Sequence, residues 1–335
     1  MQKYKKLRLK ALCLTLSLPL ILSGCNNSAI EVRDRAFIQA IGIDGEENPS
    51  VVVSIFGNDD NEDYSIYGGE GKTIFEAIAD AETKQDKNLF IGHIELIALG
   101  KRNLREDLEI LLSNSHISPS CTVVYSDINA GEIISDKNSW ELLETIKIKS
   151  KNGYISRKSV INVLDDLLGS DKAAAIPIIE DDEINMAIIG ENGLKGILTK
   201  TESQGLSWLS ESIKTLTLPI EMENEIINLR VESVKSRVTS AIDGNKITTT
   251  FYISFTGDVL EKNYTLEQIS ESAQQTITSL CQSAVQRTVH SLNVDVLNIE
   301  KSIKAADYNF YIENKDNWSE MLKSVNFKYE IELLK

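Results

Sequence analysis

Ile247-Thr248-Thr249-Thr250-Phe251-Tyr252-Ile253-Ser254-Phe255 alternates without a fault. Ile247, Thr249, Phe251, Ile253 and Phe255 fall on one face, and Thr248, Thr250, Tyr252 and Ser254 on the other. Successive strand side chains point to opposite faces, so this period of two predicts a strand with one side in a core. The run Leu229 to Ile242 precedes it, and Asp243-Gly244-Asn245 between them supplies tight-turn residues, so a hairpin is predicted. Ile269, Ala273, Ile277, Leu280 and Ala284 then form a stripe at helical spacing over Leu266 to His290, and Phe327 to Leu334 alternates again as a closing strand. Residues 209–335 therefore read as an antiparallel sheet covered by one long helix, an α+β arrangement.

Residues 36–208 read differently. Phe37 to Ile43 and Ser50 to Phe56 are β-branched runs around Asp44-Gly45-Glu46-Glu47-Asn48-Pro49, which predicts a second hairpin. Thr73-Ile74-Phe75-Glu76 has a capping-box spacing, with Ile74, Ala77, Ile78 and Ala81 on one helical face. A strand over Leu89 to Leu99, a helix over Leu104 to Leu112 and a strand over Cys121 to Tyr125 give a βαβ-like alternation. Residues 139–176 read as helical, with an apolar seam at Val160, Val163, Leu164, Leu167 and Leu168. Ala187 to Ile189 and Gly196 to Leu198 flank Glu191-Asn192-Gly193 as a further hairpin. The region is α/β in type, with room for two subdomains, so the fold class expected is multi-domain α+β, mixed or antiparallel sheets with packed helices.

The N-terminus is ordered as a secretion signal requires. Lys3, Lys5, Lys6, Arg8 and Lys10 precede the apolar stretch Ala11 to Leu22, and small residues Ser23 and Gly24 precede Cys25. A stretch of about a dozen residues is too short to span a bilayer, which takes about twenty. Residues 1–24 read as a removable leader, and 25–35 as a polar lead away from the membrane. The tetrad Leu22-Ser23-Gly24-Cys25 resembles the lipobox of bacterial lipoproteins, which implies cleavage between Gly24 and Cys25 and a diacylglyceryl group on the Cys25 thiol. Two acyl chains give stable attachment where one gives marginal attachment.

Loss of the leader removes five basic and no acidic residues from totals of 35 and 50, leaving a net charge near −20. Such a surface repels nucleic acid and anionic headgroups, so no nucleic-acid partner is expected and the membrane is reached through lipid. Cys121 and Cys281 are the cysteines then left, either as buried thiols or as one disulfide.

Candidate chemical motifs resolve into bland readings. Gly68-Gly69-Glu70-Gly71-Lys72-Thr73 lacks the leading glycine of a phosphate loop, since Ile66 stands there, and reads as a capped helix start. Asp59-Asp60-Asn61-Glu62-Asp63 has oxygen ligands at calcium-loop spacing, but Tyr64 occupies the position that needs glycine, so a solvated acidic loop is the better reading. His93, His116 and His290 are far apart, with His93 expected as a hydrogen-bonded structural residue, and no nucleophile elbow or zinc-binding helix is present. Asp165-Asp166 and Asp181-Asp182-Glu183 carry little information in so acidic a chain. No catalytic residue, cofactor or metal site is expected.

In order, several segments resemble the Ger(x)C family of spore germination lipoproteins, the C subunits of nutrient germinant receptors. They are Glu31, Ala36-Phe37-Ile38 and Ile41-Gly42-Ile43-Asp44; Gly71-Lys72-Thr73 with Glu76-Ala77; Ile91 to Ile97 with Gly100; Ala187-Ile188-Ile189, Gly196-Ile197-Leu198 and Glu202-Ser203-Gln204-Gly205-Leu206; and Trp318 near the end. Asn26-Asn27 replace the usual Trp-Asp, and Asp295-Val296-Leu297-Asn298-Ile299 stands where a glycine-containing segment is expected. The resemblance implies a non-enzymatic subunit on the outer face of the cell membrane, in the spore's inner membrane, partnered by the receptor's A and B subunits. The competing reading is a substrate-binding lipoprotein of an importer, which would need two similar lobes around a cleft.

Overall fold

The computed structural model describes residues 31–56, 64–114, 117–180, 183–191, 193–210, 212–222, 225–261 and 263–334. Residues 1–30 with Gly24 and Cys25, the acidic segment 59–63, His116 and Asp181-Asp182 lie outside them.

Strands β1 (Arg35–Asp44), β2 (Ser50–Ile55), β3 (Ser65–Glu70), β4 (Asn88–Phe90), β5 (Leu96–Leu99), β6 (Thr122–Tyr125), β7 (Ala173–Glu180), β8 (Glu183–Gly190) and β9 (Gly193–Leu198) form one sheet. Its order is β3-β2-β1-β5-β6-β7-β8-β9, with β4 also beside β1. β1, β5 and β6 run parallel, and antiparallel hairpins flank them at both ends. The strands at the centre are buried on both sides: Leu96, Ala98 and Val124 join one apolar cluster, and Ile97, Leu99, Val123 and Tyr125 the other. Double burial produces continuous apolar runs instead of alternation.

Helices α1 (Ile74–Glu82), α2 (Leu104–Asn114) and α5 (Val160–Leu167) supply Ile74, Leu108 and Val163 to one face. Helices α3 (Ala130–Asp136) and α4 (Ser139–Lys151) supply Ile134 and Ile146 to the other. The Thr73 hydroxyl caps α1 by accepting from the Glu76 N–H, and Ile74, Ala77, Ile78 and Ala81 are its buried residues, as the spacing predicts.

Two expectations fail here, for local reasons. The strand expected over Leu89 to Leu99 is broken at a 3₁₀ turn, Ile91–His93. β1 carries a bulge between Ile38 and Ala40, so β4 pairs with Arg35 to Phe37 and β5 with Ala40 to Ile43, and the turn steps across the gap. The helix expected over 139–176 is α4, α5 and then β7, because Gly153, at φ +71°, ends the first and the doubly buried run from Ala173 to Ile179 enters the sheet.

The second sheet has the order β10-β11-β12-β13, from β10 (Thr215–Met222), β11 (Glu225–Asp243), β12 (Lys246–Val259) and β13 (Asn326–Leu333). β11 and β12 form the predicted hairpin, with Asp243 opposite Lys246. Helix α6 (Lys200–Leu209) lies against α7 (Leu266–Val285), and Gly205 permits the approach: a Cβ there would stand 1.9 Å from the Leu280 carbonyl oxygen. β13 corrects the antiparallel expectation, since it pairs parallel to β12 with Asn326 opposite Thr248. Twenty residues of α7, then α8 (Ile299–Ala306), α9 (Tyr308–Asn314) and α10 (Trp318–Lys323), return the chain to the start of β12, which is the crossover a parallel partner requires.

One apolar cluster runs without interruption from Ala40, Leu96 and Ala98 of the first sheet to Phe251, Phe255 and Ile277 beside the second. The other cluster stays on the far face of the first sheet. Cys121 lies in that private core and Cys281 in the shared one, both as free thiols. Burial raises the Cys121 thiol to about 11 and pushes Cys281 higher still, so neither is a reactive thiolate at neutral pH.

Candidate functional site

Asp44, the last residue of the Ile41-Gly42-Ile43-Asp44 segment, ends β1 beneath the start of α3. Its carboxylate accepts from the Ala130 and Gly131 N–H groups at 2.9 and 2.7 Å, satisfying two donors that a helix start leaves free. Gly42 makes room, because a Cβ there would stand 2.5 Å from the Ala130 carbonyl oxygen. Arg102 secures the neighbouring turn. Its guanidinium grips Asp107 through Nε at 2.6 Å and Nη2 at 2.8 Å and also donates to the Gly45 carbonyl. The segment that carried the resemblance is thus a structural joint between β1 and α3.

A second polar centre joins the two sheets, and sequence reasoning missed it. The turn Ser170-Asp171 follows α5, and the segment 293–300 leads into α8. Asp171 Oδ2 accepts from the Asp295 N–H at 2.5 Å and from the Trp318 indole at 3.0 Å. Asp295 in turn accepts from the N–H groups of Leu297, Ile299 and Glu300 at 2.7 to 3.1 Å. Glu300 reaches back, accepting from the Ser170 N–H and hydroxyl at 2.9 and 2.8 Å, from Tyr311 at 2.7 Å and from Lys304 at 2.6 Å. Lys304 also sits 4.4 Å over the Tyr311 ring.

The carboxylates of this seam are pulled in opposite directions. Burial raises Asp295 to about 6 against its three backbone hydrogen bonds, and nearby Asp171 adds to the rise. Asp171 is also raised, by burial first. Burial would raise Glu300 too, but hydrogen bonds from Lys304, Ser170 and Tyr311 outweigh it and hold the group at about 2. Asn298, in the segment that lacks the expected glycine, has φ +61° and ψ +28°, a left-handed conformation that glycine takes freely and asparagine tolerates.

The other sequence candidates do not converge. His93 is exposed on its 3₁₀ turn, edge-on to Phe37 at 5.9 Å, and its ring has no hydrogen-bond partner among the described residues, where a hydrogen-bonded structural residue is expected. His290 is exposed and edge-on to Phe327. Asp165 pairs with Lys301, and Asp166 with Lys158 at 3.0 Å. Lys72 and Thr73 belong to the start of α1, where the Lys72 N–H donates to Glu76. Among the described residues no three His, Cys, Asp or Glu side chains are grouped to hold a metal ion. Asp171, Asp295 and Glu300 had one usable signal, the Asp295 to Ile299 segment and Trp318, which meet in space at Asp171.

Together these features define an α+β protein of two unlike sheets, locked at a carboxylate seam. Residues 28–181 match the family described as "Spore germination protein N-terminal domain", and residues 184–334 match "Spore germination B3/ GerAC like, C-terminal". The chain belongs to this family of spore germination proteins, the Ger(x)C proteins. It is 23% identical over 296 residues to spore germination protein B3 of Bacillus subtilis (strain 168), covering 78% of this chain and 77% of that one. Spore germination protein KC of the same organism is 24% identical over 245 residues, covering 58% and 60%. The solved structure titled "Crystal Structure of the GerBC protein" has the same fold, with a TM-score of 0.60 at 15% identity, covering 88% of this chain and 97% of that one.

Proposed function

We propose that this spore germination protein is the lipoprotein subunit of a nutrient germinant receptor, held by lipid on Cys25 and acting through contacts with the A and B subunits instead of catalysis. The carrying observation is the adjacency of two signals: the Leu22-Ser23-Gly24-Cys25 tetrad ends three residues before the family match begins at residue 28. Cleavage between Gly24 and Cys25 would leave a diacylated cysteine and a short lead to β1, placing the body on the outer face of the membrane. Among the described residues no helix is long and apolar enough to cross a bilayer. The unlike sheets, nine strands against four, give no support to the two similar lobes of an importer's binding protein.

Replacing Cys25 with alanine in the native host tests the proposal. The protein should leave the membrane fraction, and nutrient-triggered germination should fall. Normal germination with a protein free of membrane would refute the anchored-subunit reading.

A further inference from the structure

The strongly negative charge of the mature chain hides a local reversal. Between Thr145 and Lys158 stand five basic residues and no acidic one, over the second half of α4 and the loop that leaves it. Two of the five are paired: Lys147 with Glu144 at 2.8 Å and Glu95 at 3.8 Å, and Lys158 with Asp166 at 3.0 Å. Lys149 donates to the Ile184 carbonyl at 3.4 Å. Lys151 and Arg157 are exposed and have no ion-pair partner among the described residues. The fold brings two more exposed, unpaired cations to them. Lys214, just before β10, donates its backbone N–H to the Lys151 carbonyl at 2.9 Å, and the Lys200 ammonium, at the start of α6, sits 5.4 Å over the Tyr154 ring. Like charges gathered in this way repel one another, and an anionic surface relieves the repulsion.

Apolar side chains stand open among these charges. Trp140, Ile148 and Tyr154 are 43, 57 and 40% exposed, and the Lys147 ammonium lies 5.6 Å over the Trp140 ring. Cations interleaved with exposed tryptophan, tyrosine and isoleucine suit a lipid headgroup layer, where the rings take the interface and the cations take the phosphates. The patch also adjoins the side from which the chain arrives. A cleft of about 340 Å³ at the amino ends of β5 and β6 is lined by Lys147, Arg157 and His93, and His93 is edge-on to Phe37 near the start of β1. From Cys25 to Glu31 the chain can reach at most about 20 Å, so lipid on Cys25 keeps headgroups close to this side.

We infer that the face carrying Trp140, Ile148, Lys151, Tyr154, Arg157 and Lys200 docks on anionic phospholipid headgroups and so fixes how the acidic body stands on the membrane. Each lysine or arginine held near such a surface strengthens the contact about fivefold. The acidic remainder of the body is repelled by the same surface, which makes the orientation specific. The inference rests on the anchored reading for the nearness of the membrane, and its test separates the two.

The lipidated mature protein is mixed with vesicles of phosphatidylcholine, alone or with phosphatidylglycerol added. Sedimentation with the vesicles reads the anchor. Acrylamide quenching of Trp140 reads docking, because Trp208 and Trp318 are buried. Quenching should fall on the anionic vesicles, stay high on the neutral ones and recover in strong salt. Lys151→Gln, Arg157→Gln and Lys200→Gln together should lower the ratio of docked to undocked protein about a hundredfold. All three side chains are exposed, so the melting temperature should not change. Protein that sediments with both vesicles yet stays quenched overturns the inference while the anchor stands. So do equal shielding on neutral vesicles, shielding unchanged in the triple variant, and equal shielding by soluble polyglutamate. Sedimentation with anionic vesicles alone refutes the anchor and supports the docking, and sedimentation with neither overturns both.

Discussion

The two sheets solve the problem of burial in different ways. The nine-stranded sheet is covered on both faces and keeps one core, built on Leu108, Val163 and Ile97, entirely to itself. The four-stranded sheet has no private core among the described residues. Phe251, Ile253 and Phe255 bury themselves in the cluster that also contains Leu96, Val124 and Ile146 of the first unit. The first unit can therefore hold structure when the shared core is damaged, whereas the second depends on its neighbour.

Trp208→Ala attacks the shared core and has the largest expected effect. Trp208 is fully buried on α6, edge-on to Phe255 at 5.4 Å, and its loss should cost about 3–5 kcal/mol. Hydrogen exchange should then expose the amides of β10 to β13 while α2 and α5 stay protected. Leu108→Ala, in the private core, should cost about 2–4 kcal/mol and loosen α2 and α5 as well. If Trp208→Ala loosens both sheets equally, the two-core description is wrong.

The seam is the polar counterpart of the shared core. Asp171→Ala leaves the Trp318 indole and the Asp295 N–H without their acceptor, and each unsatisfied buried donor costs about 1–3 kcal/mol. A loss of about 2–4 kcal/mol in denaturant unfolding is expected. Trp318→Phe removes one of the two donors and should cost less. Equal losses would place the energy in the packing of Trp318 and not in the carboxylate.

The same difference in burial decided what the sequence disclosed. β12 buries one face in the shared core, where Phe255 meets Trp208 of α6, and leaves the other more open, so its period of two was visible and its hairpin partner fell into register. β7 and β5 are covered on both faces, and Ala173-Ala174-Ala175-Ile176 carries no period to separate a strand from a helix. The capped start of α1 was legible because a cap is local in sequence. The parallel entry of β13 was not, since alternation is blind to direction and the crossover depends on where α7 ends. The seam was hidden for a different reason: Asp171 and Asp295 are 124 residues apart and carry the commonest charge of an acidic chain. His93 misled because the 3₁₀ turn Ile91–His93, which interrupts the apolar run, leaves no trace in composition.

Titration sharpens the contrast within the seam. Asp295 is raised to about 6 when folded, against about 3.9 when unfolded, so the folded state holds its proton more tightly. Its contribution is complete below about pH 4 and is lost as pH rises through about 6. Glu300, held at about 2, behaves oppositely: its contribution is present above about pH 4.3 and is lost as pH falls toward 2. The stability of the parent relative to Asp295→Asn should therefore grow by on the order of 1–2 kcal/mol between about pH 6 and 4. Relative to Glu300→Gln it should shrink below about pH 4. Melting temperatures of the three proteins across this range check both signs, and parallel curves would remove the seam as a titrating element.

Asn298→Gly should have the smallest effect and the opposite sign. Asn298 is exposed, its side chain makes no capping bond to α8, and its left-handed φ of +61° is strained for any residue with a Cβ. Glycine removes that strain, worth about 1 kcal/mol, but its unfolded chain has more freedom to lose, which takes back about half. A net gain of about 0.5 kcal/mol is expected, read as a small rise in melting temperature with the Asp295 pH response unchanged. A loss of stability instead would mean that the asparagine side chain supports the turn carrying Asp295. Only that result would tie the sequence's departure from the family pattern to the seam itself and not to the backbone angle beside it.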